Sequence, residues 1–263
     1  MQATCNRHGA ETLCGYALPV FHTRIGANMR LLTISADAKP DFPKLTLSLA
    51  STPAEVREVQ RLRYKIFIKT MGLTALANSE GLDQDEFDAF CDHLIVRDSK
   101  TLKVVGTYRV LSADAAQRIG RFYSEQEFDL SRLAHLRPRI AEAGRACIHP
   151  DYRSGGVIML LWAGLAAYMR RERCDYLIGC ASISLVDGGH NAAALYHALA
   201  ERNLAPPEYR VTPYLPFPTE EREAGHEAVV PPLLKGYLRS GAWVCGEPAW
   251  DPDFHCADLF LLL

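Results

Sequence analysis

The segment "GVIMLLWAGLAAYMRRER", Gly156–Arg173, constrains the fold more than any other stretch of the chain. Its first four turns are apolar nearly all round, so a helix here has no face to offer water and must be buried. No apolar run in the chain reaches the roughly 18 residues that a membrane-spanning helix needs. The continuous apolar run "YLIGCASI", Tyr176–Ile183, follows at once and suits a central strand covered on both faces. A buried helix that feeds a central strand requires a sheet wide enough to cover both. With 263 residues, 48% of them apolar, the chain has material for such a core.

The flanking segments supply the sheet. "KLTLSLA" (Lys44–Ala50) alternates as a strand. In "STPAEVREVQRLRYKIFIKTMG", Ser51 or Thr52 caps a helix, Pro53 sits in its first turn, and Val56, Val59, Leu62, Ile66 and Phe67 form an apolar stripe. "NSEGLDQDEFDAF" is a polar, acidic loop. "DHLIVRD" (Asp92–Asp98) and "KVVGTYRVLS" (Lys103–Ser112) are strands joined by a turn at Ser99–Lys100, and "RFYSEQEFDLSRL" mixes loop and short helix. "RIAEAGRACIHP" (Arg139–Pro150) is a strand whose ladder ends at Pro150. After the buried helix and the central strand come a helix at "GHNAAALYHALAERN" and an ordered loop at "PPEYRVTPYLPFPTE". A short helix at "PPLLKGYLRS" and strands at "AWVCGE" and "ADLFLLL" complete the chain. This order predicts a mixed α/β sheet with helices on both faces, without the regular alternation of a dinucleotide fold. Residues 1–42 are loosely patterned and are expected to form a poorly ordered leader before a single domain at 43–263.

A net charge of −2 gives no global case for nucleic-acid binding. Eight cysteines without a C-x-x-C pair suit a reducing cytoplasm and argue against a zinc ribbon or a disulfide framework. Cys91, His93 and Cys147 offer metal-ligand chemistry at no recognised spacing.

Three places carry candidate chemistry. "DQDEFD" (Asp83–Asp88) is the densest acidic group, and it reads either as a solvated loop or as a cluster for a cation, an amine or base catalysis. Glu142 and Arg145 lie three apart on one strand, so a regular strand sends them to opposite faces. A bulge helped by Gly144 brings them together, whereas an edge strand leaves both exposed. Arg109 raises the same question on a neighbouring strand. Third, Arg153 with Gly155 and Gly156 precedes the buried helix, where N–H groups and the helix dipole favour an anion. Cys147 on an apolar strand reads more readily as a small core residue than as a nucleophile.

In their order and spacing, "LRYKIF", "DEFD", "GTYRVL" and "EAGRACI" resemble the acyl-homoserine lactone synthases of the LuxI type, which have a GNAT-like acyltransferase fold. The tryptophan that family places after its first motif is absent from "IKTMGLTAL". A closer resemblance runs from about Leu47 onward. "EFDAFCDHLIVRD", "GRFYSEQEFDLSRL", "HPDYRSGGVIMLLWAGLAAYM" and "LKGYLRSGAWVCGEPAWDPDF" look like the ornithine–acyl carrier protein N-acyltransferases, often labelled haemolysin-like. That resemblance implies transfer of a 3-hydroxyacyl chain from acyl carrier protein to the α-amine of ornithine, the first step of ornithine lipid synthesis.

By the same resemblance Glu142, Asp85, Asp88 and Arg145 are the catalytic candidates, with Glu142 favoured as base. Arg63, Phe67, Arg109, Cys147 and Ile148 are candidates for substrate binding, and Arg153, Gly155 and Gly156 for the phosphopantetheine arm. No metal and no separate cofactor are expected, because the donor brings its own phosphopantetheine. The expected location is the cytoplasm, with peripheral contact at the inner membrane. Acyl carrier protein is acidic, and Arg153, Arg170, Arg171, Arg173, Lys235 and Arg239 are basic residues for it to meet. A CoA-dependent acetyltransferase is the competing enzyme reading. It calls for a glycine-rich pyrophosphate loop and an Asn-to-Tyr helix motif, for which Asn191 and Tyr196 stand too close together. A lytic, non-enzymatic reading calls for a long amphipathic or spanning segment, which the sequence does not contain.

Overall fold

The computed structural model describes residues 22–23, 34–35, 44–70, 72–73, 77–220 and 227–263. The leader expected at 1–42 lies outside the described residues, apart from His22–Thr23 paired antiparallel with Ile34–Ser35.

Strand β1 (Leu45–Leu49) leads into α1 (Pro53–Tyr64), which Thr52 caps. Its hydroxyl accepts from the Glu55 N–H at 3.3 Å while Glu55 reaches back to the Thr52 N–H at 3.2 Å, a reciprocal cap. The helix does not stop at Tyr64 but widens into a π-helical turn, Lys65–Thr70. β2 (Asp92–Asp98) and β3 (Val104–Ser112) form the expected hairpin. A short helix α2 (Ala113–Ile119) follows, capped by Ser112 and stopped by Gly120 in the left-handed region (φ 91°). Next come β4 (Ile140–Ile148), α3 (Gly156–Glu172), β5 (Tyr176–Ser184) and α4 (His190–Ala200). The chain ends with α5 (Pro232–Arg239), β6 (Trp243–Val244), β7 (Ala249–Asp251) and β8 (Cys256–Leu262).

One sheet runs in the order β6-β8-β5-β4-β3-β2-β1, with β7 added to the edge of β8. Every pairing is antiparallel except β4 with β5. α3 buries Val157, Leu160, Leu161, Leu165 and Tyr168 on the face that carries Leu47, Leu94, Val96 and Tyr108. Each of those aliphatic side chains contributes about 1.5–3 kcal/mol by leaving water. The opposite face carries Leu111, Ile140, Ile178 and Phe260, packed under α2 and the turns of residues 122–136. Helices thus cover both faces, as the apolar helix and strand require.

Two features of this sheet create a site. The parallel pairing of β4 with β5 covers only Ile140↔Tyr176, Ala141↔Leu177 and Glu142↔Ile178, after which the strands diverge. Just beyond that point, β4 bulges against β3. The register steps from Arg109↔Gly144 to Thr107↔Cys147, so three residues of β4 span two of β3. The residue in the left-handed region is Arg145 (φ 52°), although Gly144 stands beside it.

Candidate active site

The divergence of β4 from β5 opens a cavity of about 80 Å³. Glu142, Ala143, Gly144 and Arg145 line it from β4, Cys180 and Ser182 from β5, and Asp251, Phe254 and Asp258 from the far side. Arg109, Phe87 and Tyr123 close its remaining wall. Because of the bulge, Glu142 and Arg145 share this wall despite being three residues apart. A second, more open cavity of about 290 Å³ shares Phe87, Tyr123, Arg145 and Phe254 with the first and is lined by Asp83, Asp85 and Glu86.

Glu142 is 4% exposed. One carboxylate oxygen accepts from the Tyr123 N–H at 2.5 Å, and the other from the Ser124 N–H at 2.8 Å and from the Ser124 hydroxyl. These amides open the short 3₁₀ turn Tyr123–Gln126, so the carboxylate satisfies donors that the turn itself leaves idle. Burial pushes the Glu142 carboxyl above its ordinary range, against the pull of those three donors and of Arg109. A carboxylate raised in this way takes up a proton more readily than a solvated one.

The acidic segment is not a solvated loop. Asp88 is 8% exposed and accepts from Arg63 at 2.9 and 2.6 Å, from Arg109 at 3.0 Å and from Gln60 at 3.1 Å. Burial raises its pKa, but Arg63 and Arg109 outweigh that and hold the carboxyl well below the usual range. Asp88 therefore cannot serve as a base near neutral pH, which corrects its place among the catalytic candidates. Asp85 caps the 3₁₀ turn Glu86–Ala89 and pairs with Arg109 at 2.6 Å and Arg145 at 3.3 Å. It borders the outer cavity and orients both arginines.

Arg63 is fully buried, pairs with Asp88 and Asp83, and lines neither cavity, so it does not reach a substrate carboxylate there. That removes it from the binding residues. Cys147 packs with Leu62 and Ile66 under α1, and burial pushes its thiol up to about 12. Phe67 joins the same cluster and Ile148 packs on the core beneath α3, so neither reaches the cavity. Arg109 and Arg145 do line it. The Arg145 guanidinium lies 4.4 Å from the Phe254 ring centroid and 5.3 Å from that of Tyr123. Arg153, Gly155 and Gly156 stand apart, at the N-terminus of α3, with Arg153 exposed and bonded to the Ile148 carbonyl at 3.3 Å.

Sequence reasoning missed Glu127, Asp251 and Asp258. A signal existed for Asp258, a lone acid inside the apolar terminal run "CADLFLLL". Among the described residues, Glu127 and Asp258 place carboxylate oxygens within 4.8 Å of each other and of the Cys180 sulfur. Asp251, Cys256 and Asp258 form a second such group. Cys91, His93 and Cys147 form none among the described residues. Asn191, considered for CoA binding, instead exchanges hydrogen bonds with the Val229 backbone at 2.7 and 3.1 Å.

The model of the acetyltransferase (GNAT) domain matches residues 62–163. An L-ornithine N(alpha)-acyltransferase of Rhodobacter capsulatus is 37% identical over 82% of this chain and 88% of that protein. One from Brucella abortus is 34% identical over 83% of this chain and 84% of that protein. Among solved structures, FeeM, an N-acyl amino acid synthase from uncultured soil microbes, aligns at a TM-score of 0.47 and 13% identity, over 84% of this chain and 91% of that one.

Proposed function

The chain belongs to the L-ornithine N(alpha)-acyltransferase family, and we propose that it moves a 3-hydroxyacyl chain from acyl carrier protein to the α-amine of ornithine. It is an acyltransferase with a GNAT fold. The observation that carries the reading is the 34–37% identity to four ornithine acyltransferases over most of both chains.

The site's chemistry supports the reaction. An amine attacks a thioester only when neutral, so a group must hold its proton. Glu142, raised by burial and lining the cavity, takes that proton directly or through one water. The amine nitrogen bonds to the acyl carbon, the carbon–sulfur bond breaks, the second amine proton passes to the leaving thiolate, and Glu142 releases the first to water. The oxygen that becomes negative in between needs preorganised donors. β4 beyond Glu142 has lost β5 as a partner, which supports its N–H groups around Ala146–Ile148 as the candidates for that role. Arg145 and Arg109 set the positive end of the cavity, which suits the amino-acid carboxylate.

A phosphopantetheine arm bears one phosphate and asks for less wrapping than a CoA pyrophosphate. The N-terminus of α3, with exposed Arg153 and Gly155–Gly156 free of side-chain bulk, supports that donor. The product, lyso-ornithine lipid, is an amphiphile. No described helix is long and apolar enough to cross a membrane. Exposed Tyr214, Leu215 and Trp250, joined through the Trp250 N–H to the Leu215 carbonyl at 2.8 Å, lie beside the cavity strand β7 and support peripheral membrane contact.

The test is turnover of ornithine with 3-hydroxyacyl carrier protein against acyl-CoA, read by mass spectrometry of the N-acyl product. Hydroxyacyl-ornithine from the carrier-protein thioester is expected; turnover confined to acetyl-CoA would overturn the proposal. Glu142→Gln should reduce turnover by roughly 10²–10⁴-fold. The residual rate should climb with pH as free amine accumulates, a dependence that a folding defect alone does not give. Wild-type turnover in this variant removes Glu142 from the mechanism.

A further inference from the structure

The chain holds two acidic groups near the active site, and the protein treats them in opposite ways. Asp83, Asp85 and Asp88 are each paired with an arginine. Glu127, Asp251 and Asp258 form no ion pair among the described residues. Asp258 is nonetheless 4% exposed and lines the inner cavity, with Asp251 beside it. Glu127 stands behind Asp258, and its Oε2 is shut off from solvent without a hydrogen-bond partner.

Burying carboxylates side by side without a countercharge is expensive. Burial pushes both Glu127 and Asp258 upward, with the Asp258 charge adding to it at Glu127 and the Asp251 charge at Asp258, so the pair retains a proton where a solvated pair would have none. Among the described residues no arginine or lysine pairs with either. The other end of the same cavity is cationic, and there too a polar atom is left over. The Arg145 Nε is buried and makes no hydrogen bond, its nearest acidic oxygen being Asp83 Oδ2 at 3.8 Å. The cavity therefore has arginines at one pole and, at the other, the acids Asp258 and Asp251 with no countercharge among the described residues, with Glu142 and the bulged strand between them.

A ligand that meets both poles carries a carboxylate at one end and a cation at the other, with a short apolar chain joining them. Ornithine has that layout, and its α-amine then falls at the β4 wall. We propose that Asp258, backed by Glu127 and flanked by Asp251, receives the side-chain ammonium of ornithine and selects a basic amino acid over an apolar one of equal length. The assignment rests on the ornithine acyltransferase reading. A divalent metal suits the group less well. The sulfurs that would complete its two ligand sets, Cys180 and Cys256, keep their protons, because desolvation and the neighbouring carboxylates push both thiols up. The acid that holds the side-chain ammonium is thus distinct from Glu142, which works on the α-amine.

The experiment compares kcat/KM for ornithine and for norvaline, its analogue without the side-chain amine, in the wild type and in Asp258→Asn. A charge-assisted hydrogen bond in a desolvated pocket is expected to favour ornithine by about 10- to 100-fold in the wild type. Asp258→Asn should erase most of that ratio, chiefly through KM for ornithine. Asp251→Asn at the rim should reduce it less. If the wild type uses both amino acids equally well, the side-chain assignment fails while ornithine acylation stands. Equal losses on both substrates in Asp258→Asn would mean that the acid serves the α-amine or the fold, and would also overturn the proposal. So would a stoichiometric divalent metal in the purified protein that the variant lacks. A wild type that acylates no ornithine sinks both readings together.

Discussion

Replacing Asp88 by Asn tests whether the buried arginine network is scaffold. Asp88 accepts two hydrogen bonds from Arg63 and one from Arg109, and Arg63 has no exposed surface at all. The substitution keeps the shape but removes the countercharge of two buried guanidinium groups, and it turns one acceptor oxygen into a donor that faces them. Breaking a buried ion pair from one side costs about 3–5 kcal/mol, because the partner stays buried and uncompensated. With a urea m-value of about 3 kcal/mol/M, the upper end for small proteins, the unfolding midpoint should fall by about 1–2 M. Adding Arg63→Met should recover part of the loss, since an apolar side chain in place of the buried arginine carries no charge to strand. The pH dependence has a definite sign. The folded Asp88 pKa is depressed, so its contribution is complete above its unfolded value of about 3.9 and disappears as pH falls further. A midpoint shift below about 0.3 M, or no recovery in the double variant, would refute this account of Asp88.

Cys147→Ala should keep turnover, and in the folded wild type the Cys147 thiol, pushed up to about 12, should resist iodoacetamide at pH 8, as peptide mapping would show. Rapid labelling at Cys147 would contradict its place beneath α1. A methyl added at Gly179 would lie 2.3 Å from the Ala143 carbonyl oxygen, where β4 and β5 begin to part. Gly179→Ala should therefore cost about 1–3 kcal/mol in thermal unfolding and lower turnover as well. Gly144→Ala should be tolerated, because a methyl there meets nothing within 4 Å. Comparable stability losses in the two glycine variants would contradict the close approach of the strands.

The large elements were legible because each carried a period or a boundary. α3 announced its burial by being apolar all round, and "DHLIVRD" matches β2 residue for residue. The seven residues of α2 are too few for a helical period, although the Ser112 cap and the Gly120 stop frame them. β7 escaped notice because three residues between Pro248 and Pro252 carry no alternation. Within the site, the charges at 142 and 145 left a bulge and an exposed edge strand as alternatives, and the structure has the bulge. Sequence could not assign the left-handed residue to Arg145, because local preference favours the neighbouring glycine and only tertiary contacts reverse that choice. Arg63 was misread for a related reason. Resemblance placed it among the substrate-binding candidates, whereas its burial depends on Asp88, twenty-five positions away.

These misreadings have one cause, and it explains how scaffold and site depend on each other. A non-glycine residue held in the left-handed region costs about 1–3 kcal/mol and persists only when its surroundings fix it. For Arg145 the fixing groups are Asp85 at 3.3 Å and the ring of Phe254 at 4.4 Å. Asp85 is itself held by Arg109 at 2.6 Å, and Arg109 is held by Asp88 at 3.0 Å. The chain of ion pairs from Arg63 to Arg145 thus ends at the bulge that brings Arg145 onto the wall of Glu142. Asp88 touches no cavity atom that reacts, yet loosening it frees Arg109 and Asp85 to relax, and the strained backbone at Arg145 gives way first. Asp85 and Asp88, put forward beside Glu142 as catalytic candidates, stand one step behind it, where their ion pairs hold β4 in its bulged conformation.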